Sequence, residues 1–182
     1  MTNPLSRLMV GWLAVLAAVL VLLPAASAAA VRGPQDEEYL RMAHQGNLAE
    51  IASGRAAQEK ASSEDVRTMG EQLVTDHTKL DTDLKKVAEQ LEISLPTDPD
   101  PQMAAELRKV SELSGQAFDA AWVDMQIKGH EKTLRLGQDE QSTGTETAVK
   151  QLAVDAAPVI EKHLRMMQEL HRTMSPDDAP TG

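Results

Sequence analysis

A continuous heptad pattern over residues 66–91 is the feature that most constrains how this chain can fold. Side chains that are apolar or small recur there at alternating steps of four and three residues, which places them on one stripe of an α-helix. One position of the stripe, within EQLVTDHTKLDTDL (71–84), is a histidine. The pattern therefore predicts a long amphipathic helix with an imidazole in its buried seam. The stripe consists of Val66, Gly70, Leu73, His77, Leu80, Leu84, Val87 and Leu91.

The same periodicity predicts three more long helices, and no alternating β-branched run predicts a strand. We expect these helices at 35–59, at 102–138 with an interruption near Gly115, and after the turn at 142–146, with Pro158 kinking the last of them. Three prolines within 95–101 end the second helix and separate two hairpins. Short turns within each hairpin make neighbouring helices antiparallel. The predicted fold is all-α, an antiparallel four-helix bundle over residues 35–173.

Both ends of the chain lie outside this predicted domain. Residues 1–28 combine Arg7, an uncharged apolar run over 8–23 and a cluster of small residues, which is the pattern of a cleaved secretory signal peptide. An uncleaved membrane anchor is the alternative, but Pro24 and the alanines after it favour cleavage. We therefore expect a secreted or extracytoplasmic protein with no stable membrane insertion after cleavage. The segment 174–182 is predicted to be disordered.

Charge and cysteine content exclude several kinds of site. The formal net charge of −10 argues against nucleic acid and anionic lipid as partners, because both would be repelled. The chain has no cysteine, which excludes disulfides, thiolate metal sites and a cysteine nucleophile. An exported chain of this kind must be held together by its core.

Buried polar residues are predicted in every helix. His130 and His163 occupy inward heptad positions in the third and fourth helices, as His77 does in the second. Since unpaired buried imidazoles and carboxylates are costly, we expect these groups to contact one another. The predicted buried polar network consists of Asn47, Glu50, His77, Asp119, His130 and His163. By contrast, Asp76 is predicted to be solvated, and His44 and His171 are predicted at the surface or rim.

Two interpretations of this polar layer remain open. The first and preferred one is a hydrogen-bonded network that fixes the register of the helices. The second is a mononuclear metal site for zinc, copper or iron. Its predicted ligands are His77, His130 and His163, with Glu50 or Asp119.

A ferritin-type di-iron centre needs Glu-x-x-His motifs, and the chain contains none. A copper variant would add Met166 and Met167 to His163, although methionines at helical spacing more often fill a core.

The quoted residues also carry a family resemblance. The pieces GNLAEI, VTDHTKL, LSGQAFDAAW and AAPVIEKHL, which include Glu50, His77, Asp119 and His163, resemble the domain of unknown function 4142 family. The resemblance extends over about residues 36–171 and implies an extracytoplasmic, ferritin-like four-helix bundle without a defined activity. The chain departs from the family pattern at Trp122, which occupies a tyrosine-like position, and at Ala157.

The sequence predicts a binding or envelope-associated role rather than catalysis. It lacks a Gly-x-Ser-x-Gly elbow, a glycine-rich phosphate loop and a His-Glu-x-x-His motif. We therefore expect an exported, non-catalytic protein that needs no cofactor. The alternative is a metal-binding protein that uses the core histidines and Glu50.

Overall fold

A computed structural model of the protein describes residues 33–174, and all of its regular structure is helical. The predicted signal segment and residues 175–182 of the predicted tail lie outside these residues. The helices are α1 (Pro34–Lys60), α2 (Glu64–Gln90), α3 (Pro101–Ser111), α4 (Gly115–Thr143) and α5 (Thr147–Met174). Within residues 33–174, no helix has the length and apolar composition needed to cross a membrane.

The helix predicted over 102–138 is two helices, divided where the sequence suggested an interruption. The short helix α3 ends at Ser111, and α4 begins at Gly115. Gly115 has a φ of +59°, which glycine adopts without the steric cost that other residues pay. Asp100 caps the start of α3, since its side chain accepts a hydrogen bond from the backbone N–H of Met103. Pro158 lies inside α5, which continues on both sides of it.

The long helices form two hairpins, α1–α2 and α4–α5, that pack on each other. Helix α1 contacts α4, α2 contacts α5, and α3 lies against α1 and α4. The first hairpin is unusually close-packed at Gly54 and Gly70. A Cβ atom added to Gly54 would lie 2.5 Å from the carbonyl oxygen of Gly70, so only glycine allows these two backbones to approach so closely.

The apolar core is divided into two clusters with a polar layer between them. On α2, His77 lies between Leu73 of one cluster and Leu84 of the other. On α5, His163 lies between Ala153 and Met167 in the same way. The heptad seam therefore places the histidines at one level of the core. The first cluster is Ala57, Ala61, Val66, Met69, Leu73, Phe118, Trp122, Val123 and Met167. The second is Tyr39, Leu40, Leu84, Ala88, Ile93, Val149 and Ala153.

Candidate metal centre

Three buried histidines from three different helices converge in this polar layer. His77 on α2, His130 on α4 and His163 on α5 have exposed fractions of 2%, 1% and 0%. Their ring centroids are 5.5–5.7 Å apart. One nitrogen from each ring can be chosen so that all three atoms lie within 4.8 Å of one another. Among the described residues, this is the group that could hold a metal ion.

In each ring, one nitrogen lies close to a hydrogen-bond acceptor and the other does not. We call the first the outer nitrogen and the second the inner nitrogen. His77 Nδ1 lies 2.9 Å from Asn47 Oδ1, and His130 Nδ1 lies 3.0 Å from the backbone carbonyl of Gln126. His163 Nε2 lies 2.9 Å from Asp76 Oδ2. Because these partners accept hydrogen bonds, each outer nitrogen carries the proton, and in a neutral ring the inner nitrogen then presents a lone pair.

The inner nitrogens have no hydrogen-bond partner within residues 33–174. They are Nε2 of His77, Nε2 of His130 and Nδ1 of His163. Buried polar atoms are rarely left unpaired, because an unsatisfied group costs about 1–3 kcal/mol. Three such atoms within one small space are therefore the main feature that the fold alone does not account for.

The electrostatic environment favours neutral imidazoles. Burial, followed by the charges of His130 and His163, holds the pKa of His77 well below its usual range. Burial also lowers the pKa of His163, although the hydrogen bond to Asp76 opposes this effect. Three imidazolium ions cannot share a space this small. The neutral ring is also the form that coordinates metal ions.

Asp76 is a supporting residue of the site, so the prediction that it is merely solvated was wrong. Its side chain is 25% exposed and accepts hydrogen bonds from both His163 and Gln72, the latter at 2.6 Å. Although burial raises the pKa of Asp76, these hydrogen bonds outweigh that effect and lower it. The carboxylate is therefore ionised and suited to hold the His163 ring.

Glu50 lies next to the histidines but outside the group of converging nitrogens. Its Oε2 accepts a hydrogen bond from Gln126 Nε2 at 2.8 Å, and its Oε1 lies 3.9 Å from His130 Nδ1. That nitrogen is the outer one, so Glu50 lies on the outer side of His130 and not beside its inner nitrogen. Burial raises the pKa of Glu50. The predicted ligand is therefore in the polar network, but at a supporting position.

Asp119 is buried elsewhere, which corrects its predicted place in both the network and the metal site. It lies eleven residues from His130, or about 16 Å along α4 at the usual helical rise. Its carboxylate accepts hydrogen bonds from the backbone N–H groups of Ser62 and Ser63, at 3.0 and 2.9 Å, and from the Ser62 hydroxyl. Asp119 thus caps the start of α2.

The two remaining histidines differ from each other. His171 is exposed and pairs with Asp124 at 3.1 Å, in agreement with its predicted surface position. His44 is only 5% exposed, so its predicted place at the surface or rim was wrong. Its Nδ1 lies 2.6 Å from Asp81 Oδ1, and its Nε2 lies 3.0 Å from the carbonyl of Pro96. These contacts tie α1 to α2 and to the loop after it, and His44 is not one of the three converging histidines.

The sequence matches the model of the domain of unknown function family DUF4142 over residues 21–170. The chain belongs to the DUF4142 family. This match confirms the resemblance drawn from the residues around Glu50, His77 and His163. A comparison of this DUF4142 protein with curated proteins gave no match.

Solved structures of DUF305 proteins are similar in fold to this DUF4142 protein. A DUF305 fragment from Deinococcus radiodurans matches with a TM-score of 0.70 at 13% identity, over 78% of this chain and 98% of that one. A DUF305 protein from Streptomyces coelicolor, described as secreted, matches with a TM-score of 0.66 at 14% identity, over 77% of this chain and 93% of that one. At such low identity the likeness shows a shared all-helical fold and nothing about the site.

Proposed function

We propose that this protein binds one metal ion through His77, His130 and His163. One observation carries the proposal: three buried rings, from each of which one nitrogen can be chosen so that the three lie within 4.8 Å of one another, each have one nitrogen held by an acceptor and one without a partner. Metal-binding histidines typically donate their second nitrogen to a carboxylate or carbonyl group in this way. The outer contacts fix which nitrogen is free and where it points.

The donor set suits zinc, copper or iron. Imidazole nitrogen is a common ligand for all three metals. Zinc binds imidazole at about 2.0–2.1 Å, which puts two such nitrogens about 3.4 Å apart in a tetrahedral site. The nitrogens, which lie within 4.8 Å of one another, therefore need to close by at most about 1.4 Å around the ion. Since each ring is held by a side chain or a single carbonyl, small rotations are enough.

A purely structural hydrogen-bond network is the second candidate. Three hydrogen bonds favour it because they link α1, α2, α4 and α5: Asn47 with His77, Asp76 with His163, and Gln126 with Glu50. However, it accounts for only one of the two nitrogens in each ring. A network without a ligand leaves the inner nitrogens unpaired, and a metal ion removes that cost.

We further propose that the protein acts outside the cytoplasm as a non-catalytic, ferritin-like four-helix bundle. The apolar segment before the domain and the description of the Streptomyces coelicolor neighbour as secreted support this location. The two mutually packed hairpins support the bundle assignment. Export would give the site access to metal ions without competition from cytoplasmic thiols.

Metal titration of the apoprotein tests the metal site. We expect one ion of zinc, copper or iron per chain, with an increase in melting temperature. Ligand at a hundred times its dissociation constant stabilises a protein by about 2.7 kcal/mol. His77→Ala, His130→Ala and His163→Ala should each abolish the increment. His171→Ala is the matched control, because this exposed histidine lies away from the site. Destabilised variants with no metal dependence in the wild type would instead support the structural network.

A further inference from the structure

Helix α3 covers α1 and α4 without closing tightly on them. None of its 11 residues is buried. A cavity of about 280 Å³, which we call the α3 cavity, lies among the three helices, and a second of about 370 Å³ lies between α1 and α3. Ala49, Met103 and Leu107 line both, so the two cavities are adjacent. Since ligand sites typically measure about 300–1,000 Å³, the space beneath α3 is large enough for a small ligand.

Flexible apolar side chains form much of the wall of the α3 cavity. Methionine is unbranched and polarizable, so it adapts to ligands of variable shape. Gly46 and Gly129 line the cavity without a side chain, and a Cβ atom added to Gly46 would meet nothing within 4 Å. Glycine weakens a helix relative to alanine, and no close backbone contact requires it at Gly46. The wall therefore has the space and the chemistry to hold an alkyl chain. The apolar lining residues are Met42, Ala49, Met103, Leu107, Met125 and Leu136.

A row of basic side chains on α4 also lines the α3 cavity. Lys128, Lys132 and Arg135 follow one another at steps of four and three residues, which puts them on one stripe of the helix. All three are exposed, so a molecule in the cavity can reach them. Within residues 33–174, the ion pairs of lysine and arginine all involve other residues. We call these three residues the basic row, and it is the charged part of the wall that lacks a partner.

The acidic residues of the same wall each have a partner already. Asp100 caps the start of α3, and Glu106 accepts a hydrogen bond from Gln102. Glu50 accepts one from Gln126. The charge that the α3 cavity lacks is therefore negative.

We infer that the α3 cavity binds a free anionic amphiphile, a molecule with one unbranched alkyl chain and one anionic head group. The chain lies against the apolar wall and the head group lies at the basic row. The net charge of −10 repels anions at a distance, but salt screens such effects beyond about 10 Å at 0.1 M, whereas the basic row contacts the head group directly. This inference does not depend on the metal ion proposed above.

Calorimetric titration with fatty acids of different lengths tests the inference. The probes are hexanoate, octanoate and decanoate at pH 8, below their micelle concentrations. A chelator in the buffer prevents the carboxylates from binding to a metal ion. We expect one decanoate per chain, with an affinity that rises about three- to fourfold for each buried methylene group. Decyltrimethylammonium, which has the same alkyl chain and the opposite charge, should bind at least about tenfold more weakly than decanoate.

Replacement of all three residues of the basic row by glutamine tests the position of the head group. This triple variant should weaken decanoate binding by about tenfold and lose the preference for decanoate over decyltrimethylammonium. The matched control is Lys86→Gln/Arg165→Gln/Arg172→Gln, which removes three charges from exposed positions on α2 and α5. It should bind decanoate like the wild type.

A substitution in the apolar wall tests the position of the alkyl chain. Leu107→Glu places a carboxylate among the apolar side chains and should weaken decanoate binding by at least about tenfold. Because α3 contributes no buried residue, this variant should fold. Leu113→Glu makes the same change at an exposed position that does not line the cavity, and it should bind like the wild type.

Each part of the inference can fail by itself. Absence of saturable decanoate binding overturns the site. An affinity that does not depend on chain length, or that is equal in Leu107→Glu and Leu113→Glu, overturns the position of the alkyl chain. Equal binding of decanoate and decyltrimethylammonium, or an equal loss in the two triple variants, overturns the assignment to an anion. Co-sedimentation of the wild type with phosphatidylglycerol vesicles that is lost in the basic-row variant would show that the row binds a membrane surface instead of a free molecule.

Discussion

Asp76 and His163 form a partly buried pair in which the carboxylate lies 2.9 Å from Nε2 of the ring. The contact joins α2 to α5 and leaves Nδ1 of His163 as the ring nitrogen without a hydrogen-bond partner. Asp76 directly precedes His77, so one segment of α2 supplies a proposed ligand and the support for another. A substitution at Asp76 can therefore test the supporting contact while all three histidines remain in place.

Removal of the Asp76 carboxylate should weaken metal binding without abolishing it. Asp76→Ala leaves the His163 ring without its acceptor, and loss of such a supporting contact typically costs 10–100-fold in metal affinity. Asp76→Asn retains an acceptor oxygen and should lie between Asp76→Ala and the wild type. Competition with a chromophoric chelator measures the dissociation constants. Asp124→Ala removes an exposed carboxylate that pairs with His171 and should have no effect. A dissociation constant for Asp76→Ala equal to that of the wild type would contradict the supporting role.

Helical periodicity predicted the level of the site but not the contacts around it. The heptad seam identified His77, His130 and His163 correctly as buried, because a repeat of this kind fixes which face of a helix turns inward. It could not predict Asp76, which lies one position outside the seam and is covered only because α5 packs there. Asp119 was included in the predicted network because of its inward face, but it is buried at another height along the helix. The face of a helix that turns inward is set locally by the sequence, whereas the height of a residue in the bundle depends on how the two hairpins are offset along their axes.

The Asp119 carboxylate should matter for folding stability and not for metal binding. Asp119→Ala removes three hydrogen bonds at the start of α2. Hydrogen bonds to charged groups contribute about 1.5–3 kcal/mol each, with losses at one site less than additive, so we expect a decrease of about 2–4 kcal/mol in the free energy of unfolding. Urea denaturation measures this decrease, and metal titration of the folded variant should give the wild-type affinity. A loss of affinity at unchanged stability would show that Asp119 belongs to the site.

Two glycines on α1 should respond in opposite directions to the same substitution. Gly54→Ala places a methyl group 2.5 Å from the Gly70 carbonyl oxygen, a backbone atom that cannot rotate away. The hairpin must then open, at a cost of about 1–3 kcal/mol or more. Gly46→Ala meets nothing within 4 Å and should stabilise the helix by up to about 1 kcal/mol. Thermal melting of both variants gives the comparison. Equal effects at the two positions would show that the close approach of α1 and α2 is not a constraint.

A pair of buried carboxyl groups at the other end of the helices should make stability depend on pH. Asp36 accepts hydrogen bonds from the backbone N–H groups of Thr145 and Glu146, both at 2.9 Å, and so caps the start of α5. Glu140 is fully buried nearby. Burial and the neighbouring carboxylate of Asp36 raise the pKa of Glu140 from 4.5 to about 7. Asp36 thus remains charged, while Glu140 holds its proton until the pH approaches about 7.

Glu140→Gln should stabilise the protein increasingly as the pH rises from 5 to 8. In the unfolded chain Glu140 loses its proton near pH 4.5, whereas in the folded protein it keeps the proton until about pH 7. Wild-type stability therefore falls as the pH rises through this window and levels off above it. Glutamine imitates the protonated group at every pH, so the advantage of the variant should grow by about 1–3 kcal/mol across the window. Urea denaturation at pH 5, 6, 7 and 8 measures the difference. Glu131→Gln, at an exposed position on the same helix, should follow the wild type at all four values. Parallel curves for Glu140→Gln and Glu131→Gln would mean that Glu140 is ionised in the folded protein throughout this range.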